Sequence, residues 1–376
     1  MLLKNESNLS LTTEKLYFRA HSYFFDLLQD IQKSKLSIDI EMYIWSTDEI
    51  GQQLYLALKQ AVKRGVKVRI VVDGIGSFYW IQWYLSKFLY SGIEIKIFHP
   101  LLWSWSIFKF TPHRLWIALN RINRRNHRKF FLIDQKIIYT GSLNIMKSSF
   151  FWRETGIRLT GDPAILIHKI FEDTWAWTTK IFLHYLSPNL YSLQNEILSS
   201  GIIRSNQSFH LRKFFRADLL TKFNSAQNRI WLMTPYFVPP GAFLKAILAA
   251  AERGVDVRII VPFRSDIRFI CWVANLYYRY LIRSGVSIYE YSPQILHAKM
   301  AIIDNWGMVG SSNFNHRSTY LDLELDIAIT KKENFDLLEQ QFYRDMELSN
   351  KIIKYKPLTK WKFIIARILI RLKRWF

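Results

Sequence analysis

The sequence predicts an α/β protein of two tandem units, each a mixed, largely parallel sheet flanked by helices, packed pseudo-symmetrically around one active site. Three observations lead there. Strand-like and helix-like stretches alternate, the order that lays helices over a parallel sheet. The chain also repeats itself at long period: the run Ala61-Val-Lys-Arg-Gly-Val-Lys-Val-Arg-Ile-Val-Val returns as Ala251-Glu-Arg-Gly-Val-Asp-Val-Arg-Ile-Ile-Val. Finally, one polar motif occurs once in each copy. Two copies at this spacing make a duplicated domain rather than a solenoid. The expected division is 1–190 for the first unit, with an aromatic and basic insert over 99–126, then 191–350 for the second unit and 351–376 for a tail.

Taken in order, residues 1–15 are expected to be a loose lead-in. Residues 16–33 carry Phe18, Phe24, Leu27, Leu28 and Ile31 as an apolar stripe at helical spacing. A strand over 36–45, a helix over 50–64 ended by Gly65, and a strand over 66–72 follow. The later half repeats this with a strand at 229–236, a helix at 241–253 ended by Gly254, and a strand at 255–261. Ser91-Gly92-Ile93 and Ser284-Gly285-Val286 each lead into a further short strand, and Phe171-Glu172-Asp173 is answered by Phe342-Tyr343-Arg344. Asp73-Gly74-Ile75-Gly76-Ser77 follows a strand, but Tyr79 stands where a dinucleotide loop needs its third glycine, so it reads as a turn.

The repeated motif is H-x-K-x4-D, a turn, then G-S-x-N. Its first copy holds His127, Lys129, Asp134, Ser142 and Asn144; its second holds His297, Lys299, Asp304, Ser311 and Asn313. The apolar residues between Lys and Asp read as a buried strand, on which residues two apart share a face. His127 therefore projects with Lys129, and His297 with Lys299. The return strand of each hairpin is expected to set Ser142 and Asn144, or Ser311 and Asn313, beside them. Asp134 lies seven residues from His127, roughly 23 Å along an extended strand, so each Asp is read as supporting its turn.

The formal net charge of +22 implies an anionic partner: nucleic acid, an acidic membrane surface or a phosphate-bearing substrate. A half-hydrophobic composition argues against disorder. The single cysteine, Cys271, excludes an internal disulfide and fits a reducing compartment. Residues 1–10 are polar rather than signal-like. No stretch offers the ~20 uncharged apolar residues of a spanning helix, so contact with a membrane is expected from the cytoplasmic side, along its surface.

Two stretches suit such a surface. The 99–126 insert mixes Trp, Phe and Leu with Arg and Lys, and reads either as a core helix with a basic face or as an amphipathic lip over the site. In the tail, Trp361, Ile364, Ile365, Ile368, Leu369, Leu372 and Trp375 fall on one helical face, among Lys362, Arg367, Arg371, Lys373 and Arg374. That pattern reads as a helix lying in an anionic interface, or as a terminal helix docked on the core.

Two His, two Lys and two Asn meeting in one pocket suit a phosphodiester. Lys129 and Lys299 neutralise the non-bridging oxygens, and Asn144 and Asn313 donate hydrogen bonds. One neutral His attacks phosphorus to form a phosphohistidine. The other, protonated, delivers a proton to the leaving oxygen and then acts as base on the acceptor. Glu154 and Glu324 stand ten and eleven residues after the two Asn. Each can accept an Nδ1 proton and orient a His; the alternative is salt bridging with Arg153 and Arg317. No metal is expected, since no H-x-x-x-H or Cys/His cluster occurs and a Lys accompanies each His.

The paired H-x-K-x4-D with trailing G-S-x-N resembles the phospholipase D superfamily. Further stretches are similar to its bacterial cardiolipin synthase branch: Glu41-Met42-Tyr43-Ile44-Trp45, Arg64-Gly65-Val66, Asp73-Gly74-Ile75-Gly76-Ser77, Asn126-His127-Arg128-Lys129, Trp152-Arg153-Glu154-Thr155, Pro235-Tyr236-Phe237, and Gly310-Ser311-Ser312-Asn313 with Arg317-Ser318. The resemblance covers roughly residues 35–345. It implies two phospholipase D-like units and the active-site triplets His127, Lys129, Asp134 and His297, Lys299, Asp304. Ser142 and Ser311 are taken as substrate-binding. The implied reaction is phosphatidyl transfer through a phosphatidyl-histidine, from phosphatidylglycerol or phosphatidylethanolamine to phosphatidylglycerol, giving cardiolipin without a cofactor. His127 is favoured as nucleophile and His297 as acid/base. The implied partners are the anionic lipids phosphatidylglycerol and cardiolipin and the cytoplasmic face of the bacterial inner membrane, with no obligatory nucleic acid. Many members begin with two spanning helices that this sequence lacks, so it is expected to resemble the shorter members.

Three other readings stay open at this level. Water reaching the intermediate gives a phospholipase D-type hydrolase. The charge and the Trp-rich insert suit a metal-independent nuclease. A non-catalytic membrane-binding protein needs neither motif.

Overall fold

The computed structural model of the protein describes residues 11–100, 123–179 and 189–372. Most of the 99–126 insert and Lys373, Arg374 and Trp375 of the tail lie outside the described residues.

The first unit runs β1 (Leu11–Tyr17), α1 (Ala20–Lys33), β2 (Ser37–Met42), α2 (Glu49–Lys63), β3 (Lys67–Asp73), α3 (Phe78–Tyr90), β4 (Glu94–Phe98), β5 (Phe130–Ile133), β6 (Ile137–Gly141), β7 (Trp152–Arg153), β8 (Gly156–Gly161) and α4 (Pro163–Thr179). The second continues with α5 (Asn189–Ser200), β9 (Ile203–Ser205), α6 (Phe209–Ser225), β10 (Arg229–Met233), α7 (Gly241–Glu252), β11 (Asp256–Pro262), α8 (Ile270–Arg283), β12 (Ser287–Tyr291), β13 (Ile295–Leu296), β14 (Met300–Ile303), β15 (Trp306–Gly310), α9 (His316–Tyr320), β16 (Leu325–Ala328), α10 (Lys332–Glu347), β17 (Ser349–Lys351) and α11 (Lys360–Arg371).

Two large sheets result, ordered β1-β8-β6-β5-β2-β3-β4 and β17-β12-β11-β10-β14-β15-β16-β9. Both are mixed α/β sheets, the expected class. Neighbouring parallel pairs are confined to β2–β3–β4 and β10–β11–β12, whose connections are helical. The hairpins β5–β6 and β14–β15 and the edge strands pair antiparallel, a larger share than strand–helix–strand order alone suggests. Local signals set the helix ends. Asp48 caps α2 by accepting from Ile50 N and Gly51 N, and Gly65 ends it at φ 88°.

Strand alternation distributes the core into three layers. On β5, Phe131 and Ile133 face the outer layer under α1 and α2, while Phe130 and Leu132 face the opposite way. On β14, Ala301 and Ile303 face an outer layer, while Met300 and Ile302 join Phe130 and Leu132 in one shared cluster. The two units therefore hold one continuous central core.

Three expectations need correcting. Residues 11–17 are not a lead-in but strand β1, paired antiparallel along β8; residues 1–10 lie outside the described residues. The first helix starts at Ala20 instead of residue 16, because Leu16 and Tyr17 belong to that strand. The tail helix α11 is docked as well as amphipathic. Ala366 is fully buried, Leu369 and Ile370 pack on the second unit's outer core, and Trp361 meets Trp272 edge-on at 5.2 Å. Leu369 thus leaves the outward face, which keeps Trp361, Ile364, Ile368 and Leu372 about half exposed. Among the described residues, no helix is long and apolar enough to cross a membrane.

Candidate active site

Backbone pairing between the units builds the site. Asn126 bridges to Leu323, and His127 N donates to Leu323 O at 2.9 Å. In the other unit β13 pairs in parallel with β7, and His297 N donates to Arg153 O at 2.9 Å. The residue after each of these carbonyls is a glutamate. Crossing the boundary in this register brings each glutamate to the other unit's histidine. Glu324 lies 3.0 Å from His127 Nδ1, and Glu154 lies 2.8 Å from His297 Nδ1.

Both glutamates are 1% exposed and braced by hydroxyls. Ser142 donates to Glu154, while Ser311 and Ser318 each donate to Glu324 at 2.5 Å. Ser142 Oγ also accepts from Thr155 N, and Ser311 Oγ from Leu325 N. Both serines are fully buried. Their hydroxyls fix the carboxylates. The salt-bridge alternative for the glutamates falls, because Arg153 pairs with Asp345 and Arg317 with Asp322, each at 2.7 Å.

With Nδ1 donating to a carboxylate, each imidazole is fixed in the tautomer that leaves an Nε2 lone pair for chemistry. Burial pushes His127 well below its ordinary value, helped by the charges of Lys129, Lys299 and His297. Side chains of both motifs thus act on a single imidazole. Burial lowers His297 as well, against the opposing charge of Glu154.

Lys129 and Lys299 are buried and each donates to the carbonyl of its own unit's histidine at 2.7 Å. Burial, aided by Lys299, brings Lys129 down to about 7. Burial brings Lys299 down to about 8, opposed by Glu154 and Glu324. Asn144 and Asn313 are 7% exposed, and the Oδ1 of each is buried without a hydrogen-bond partner. The two lysine ammonium groups suit an anionic ligand with several oxygens, and each unpaired Asn Oδ1, an acceptor, suits a hydroxyl of that ligand.

Asp134 and Asp304 stand elsewhere, at the far turn of each hairpin. Asp134, at φ 51°, accepts from the backbone N–H groups of Lys35, Leu36 and Ser37, and Asp304, at φ 48°, from those of Gln227, Asn228 and Arg229. They tie each hairpin to the start of β2 or β10, as the turn-supporting reading expects. Among the described residues, neither is hydrogen-bonded or ion-paired to a histidine.

Sequence reasoning missed the aromatic walls. The Tyr43 ring centroid lies 4.8 Å from His127; those of Trp152 and Tyr236 lie 5.3 Å and 6.4 Å from His297. Tyr236 Oη donates to Asp266 at 2.6 Å. Their sequence signal is positional: Tyr43 and Tyr236 each follow the first parallel strand of a unit, β2 or β10. Among the described residues, no group of three or more His, Cys, Asp or Glu is placed to hold a metal ion.

Two similar sheets, each offering an H-x-K hairpin to a shared pair of His–Glu dyads, define a two-unit phospholipase D-like protein. The family profile described as "Cardiolipin synthase, PLD-like domain" matches residues 27–175 and 219–346, and the chain belongs to this family. A cardiolipin synthase of Clostridium perfringens (strain SM101 / Type A) is 32% identical over 351 residues, 90% of this chain and 71% of that relative. Cardiolipin synthase 2 of Staphylococcus epidermidis is 32% identical over 392 residues, 98% of this chain and 76% of that protein. In fold, the chain is similar to the phosphatidylserine synthase of Haemophilus influenzae Rd KW20, with a TM-score of 0.68, 13% identity and coverage of 98% and 96% of the two chains.

Proposed function

We propose that this phosphatidyltransferase makes cardiolipin by moving a phosphatidyl group from one phosphatidylglycerol to a second, through a phosphatidyl-histidine. The observation that carries the reading is the exchange of glutamates, Glu324 onto His127 and Glu154 onto His297. The catalytic groups are His127, Lys129 and Asn144 with His297, Lys299 and Asn313. Glu154, Glu324, Ser142, Ser311, Asp134 and Asp304 position them.

The two dyads differ in a way that favours His127 as nucleophile. Burial raises Glu324, outweighing Lys129, and His127 is strongly held neutral. Burial also pushes on Glu154, but His297 and Lys299 outweigh it and keep that carboxylate ionised, which offsets part of the burial at His297 and leaves it lowered less far than His127. In the first step His127 Nε2 attacks phosphorus and the bond to the headgroup oxygen breaks. His297 gives its proton to the leaving glycerol. In the second, His297 Nε2 takes the proton of the acceptor's hydroxyl, whose oxygen attacks phosphorus and breaks the P–N bond. Lys129 and Lys299 bear on the non-bridging oxygens throughout. Phosphatidylethanolamine serves as donor by the same steps, releasing ethanolamine.

The units divide near residue 190, with the second ending near 350. The outward face of α11 lies on the cytoplasmic surface of the bacterial inner membrane, where its flanking Lys and Arg meet anionic headgroups. Incubating the protein with phosphatidylglycerol vesicles and weighing the products tests the reading. Cardiolipin and glycerol in equal amounts, lost in His127→Ala and His297→Ala, are expected. Phosphatidic acid alone identifies a hydrolase, and cleavage of single-stranded DNA without lipid turnover identifies a nuclease.

A further inference from the structure

Behind Asn313 and Glu324, in the second unit, lies a cavity of about 60 Å³ that the chemistry above does not use. A single water needs roughly 10–15 Å³ of such space, so it has room for a tetrahedral anion. Its walls include Arg204, Arg212, Arg216, Asn313, Ser318 and Asp326. Arg204 is paired with Asp218 at 2.7 Å. Arg212 and Arg216, one turn apart on α6, have no carboxylate within ion-pair distance among the described residues. Arg212 Nη2 donates only to the Asn206 carbonyl, at 3.2 Å, and the Arg216 guanidinium lies 5.1 Å from the Tyr320 ring. Burial brings Arg212 down to about 10, opposed by Asp322 and Glu324. Two part-buried guanidinium groups with no directly paired carboxylate gain from an anion that joins them.

The first unit fills the equivalent positions differently. Asp134 and Asp304 hold residues 35–37 and 227–229, and so set the two units in register. On α1, Ala20 and Phe24, both buried, then stand where α6 has Arg212 and Arg216. Opposite them, β6 sets Gly141 against Gly156, whereas β15 sets Gly310 against Asp326. A Cβ on Gly156 would meet the Tyr23 ring at 2.5 Å, so aromatic packing fills the first unit's version. The same two helix positions are apolar in the first unit and basic in the second.

We infer that the cavity walled by Arg212, Arg216 and Asn313 is a second phosphate subsite, which holds the acceptor lipid's own phosphodiester while its hydroxyl reaches the phosphatidyl-histidine. The inference rests on the proposed transfer reaction. A phosphatidylglycerol acceptor carries its phosphate three carbons from the attacking hydroxyl. A subsite for it must therefore adjoin the reacting phosphorus, and Asn313, one of the proposed catalytic groups, lines this cavity. Glycerol, an acceptor without phosphate, gains nothing from the subsite.

The test compares the full-length protein with Arg212→Gln, Arg216→Gln and Arg212→Lys, measuring phosphatidyl transfer to phosphatidylglycerol, read as cardiolipin, and to isotope-labelled glycerol, read as labelled phosphatidylglycerol, in the same mixed micelles. The ratio of the two rates is expected to fall at least tenfold in each Gln variant, through a higher KM for phosphatidylglycerol, and to recover in part in Arg212→Lys. Inorganic phosphate is the free-anion probe. In the unaltered protein it should inhibit transfer to phosphatidylglycerol more strongly than transfer to glycerol, because phosphate at the reacting centre slows both and phosphate in the subsite slows only the first. An unchanged ratio in the Gln variants, or equal inhibition of both acceptors by phosphate, overturns the subsite. Absence of transfer to either acceptor in the unaltered protein refutes the reaction itself, a separate outcome.

Discussion

Replacing Glu154 or Glu324 by Gln keeps the shape of each dyad and removes its charge. Glu154 is 1% exposed and lies 2.8 Å from His297 Nδ1, so no solvent replaces the lost carboxylate. The amide can also turn its NH2 towards Nδ1 and select the wrong tautomer. Loss of a buried carboxylate behind a catalytic His costs on the order of 10³–10⁴ in rate, about 4–5 kcal/mol. The two variants should fail at different steps. With a phosphatidyl ester of nitrophenol the leaving group needs no proton, so the first step depends on His127 and Glu324 alone. Glu154→Gln should then release its nitrophenol burst at nearly the unaltered rate and stall before turnover. Glu324→Gln should slow the burst itself by about 10³. Stopped-flow absorbance reads both. Equal slowing of the burst in the two variants would refute the division of roles, and a fast steady state in Glu154→Gln would refute the dyad.

Three further outcomes follow from the same geometry. Lys129 and Lys299, brought down to about 7 and about 8, should regain protons when a phosphodiester binds. Calorimetry at pH 8 in buffers of different ionisation enthalpy should show proton uptake, and none would contradict their place beside the phosphate. Asp326 is 6% exposed, and burial, then Glu324, raises it from 3.8 to about 6. The folded carboxyl therefore holds its proton more tightly than the unfolded one. Its contribution to stability is full below about 3.8 and is lost as pH rises through about 6, a change of about 3 kcal/mol. Asp326→Asn should flatten the pH dependence of urea unfolding in that window, and an unaltered slope would contradict it. Asp134→Ala removes the acceptor of three backbone N–H groups and should cost about 1–3 kcal/mol of stability, with kcat per folded molecule nearly unchanged; a large loss of kcat would return Asp134 to the chemistry.

What the sequence made legible was local. The His and Lys alternation, the hairpin turns at Asp134 and Asp304 and the helix ends at Gly65 and Gly254 all follow from short-range rules. So did the suspicion that Glu154 and Glu324 orient imidazoles. Which glutamate serves which histidine was hidden, because the answer lies in the Asn126–Leu323 and β13–β7 pairings between distant segments. Strand β1 was missed for a similar reason: LTTEKLY has no clean alternation, and its partner β8 lies far along the chain. Strand alternation puts Ser142 and Ser311 on the site's face but does not show that their hydroxyls bond to Glu154 and Glu324. Arg212 and Arg216 carry no motif at all, and only register with Ala20 and Phe24 of the first unit marks them as unusual.

The account depends most on His127 forming a bond to phosphorus inside a site that both units complete. Rapid acid-free quenching of turnover with phosphatidylglycerol, followed by proteolysis and mass spectrometry, reads this directly. A phosphatidyl adduct on the peptide holding His127, increased in His297→Ala supplied with the nitrophenyl ester, is the predicted result. An adduct on His297, or turnover with no adduct on either histidine, would contradict it.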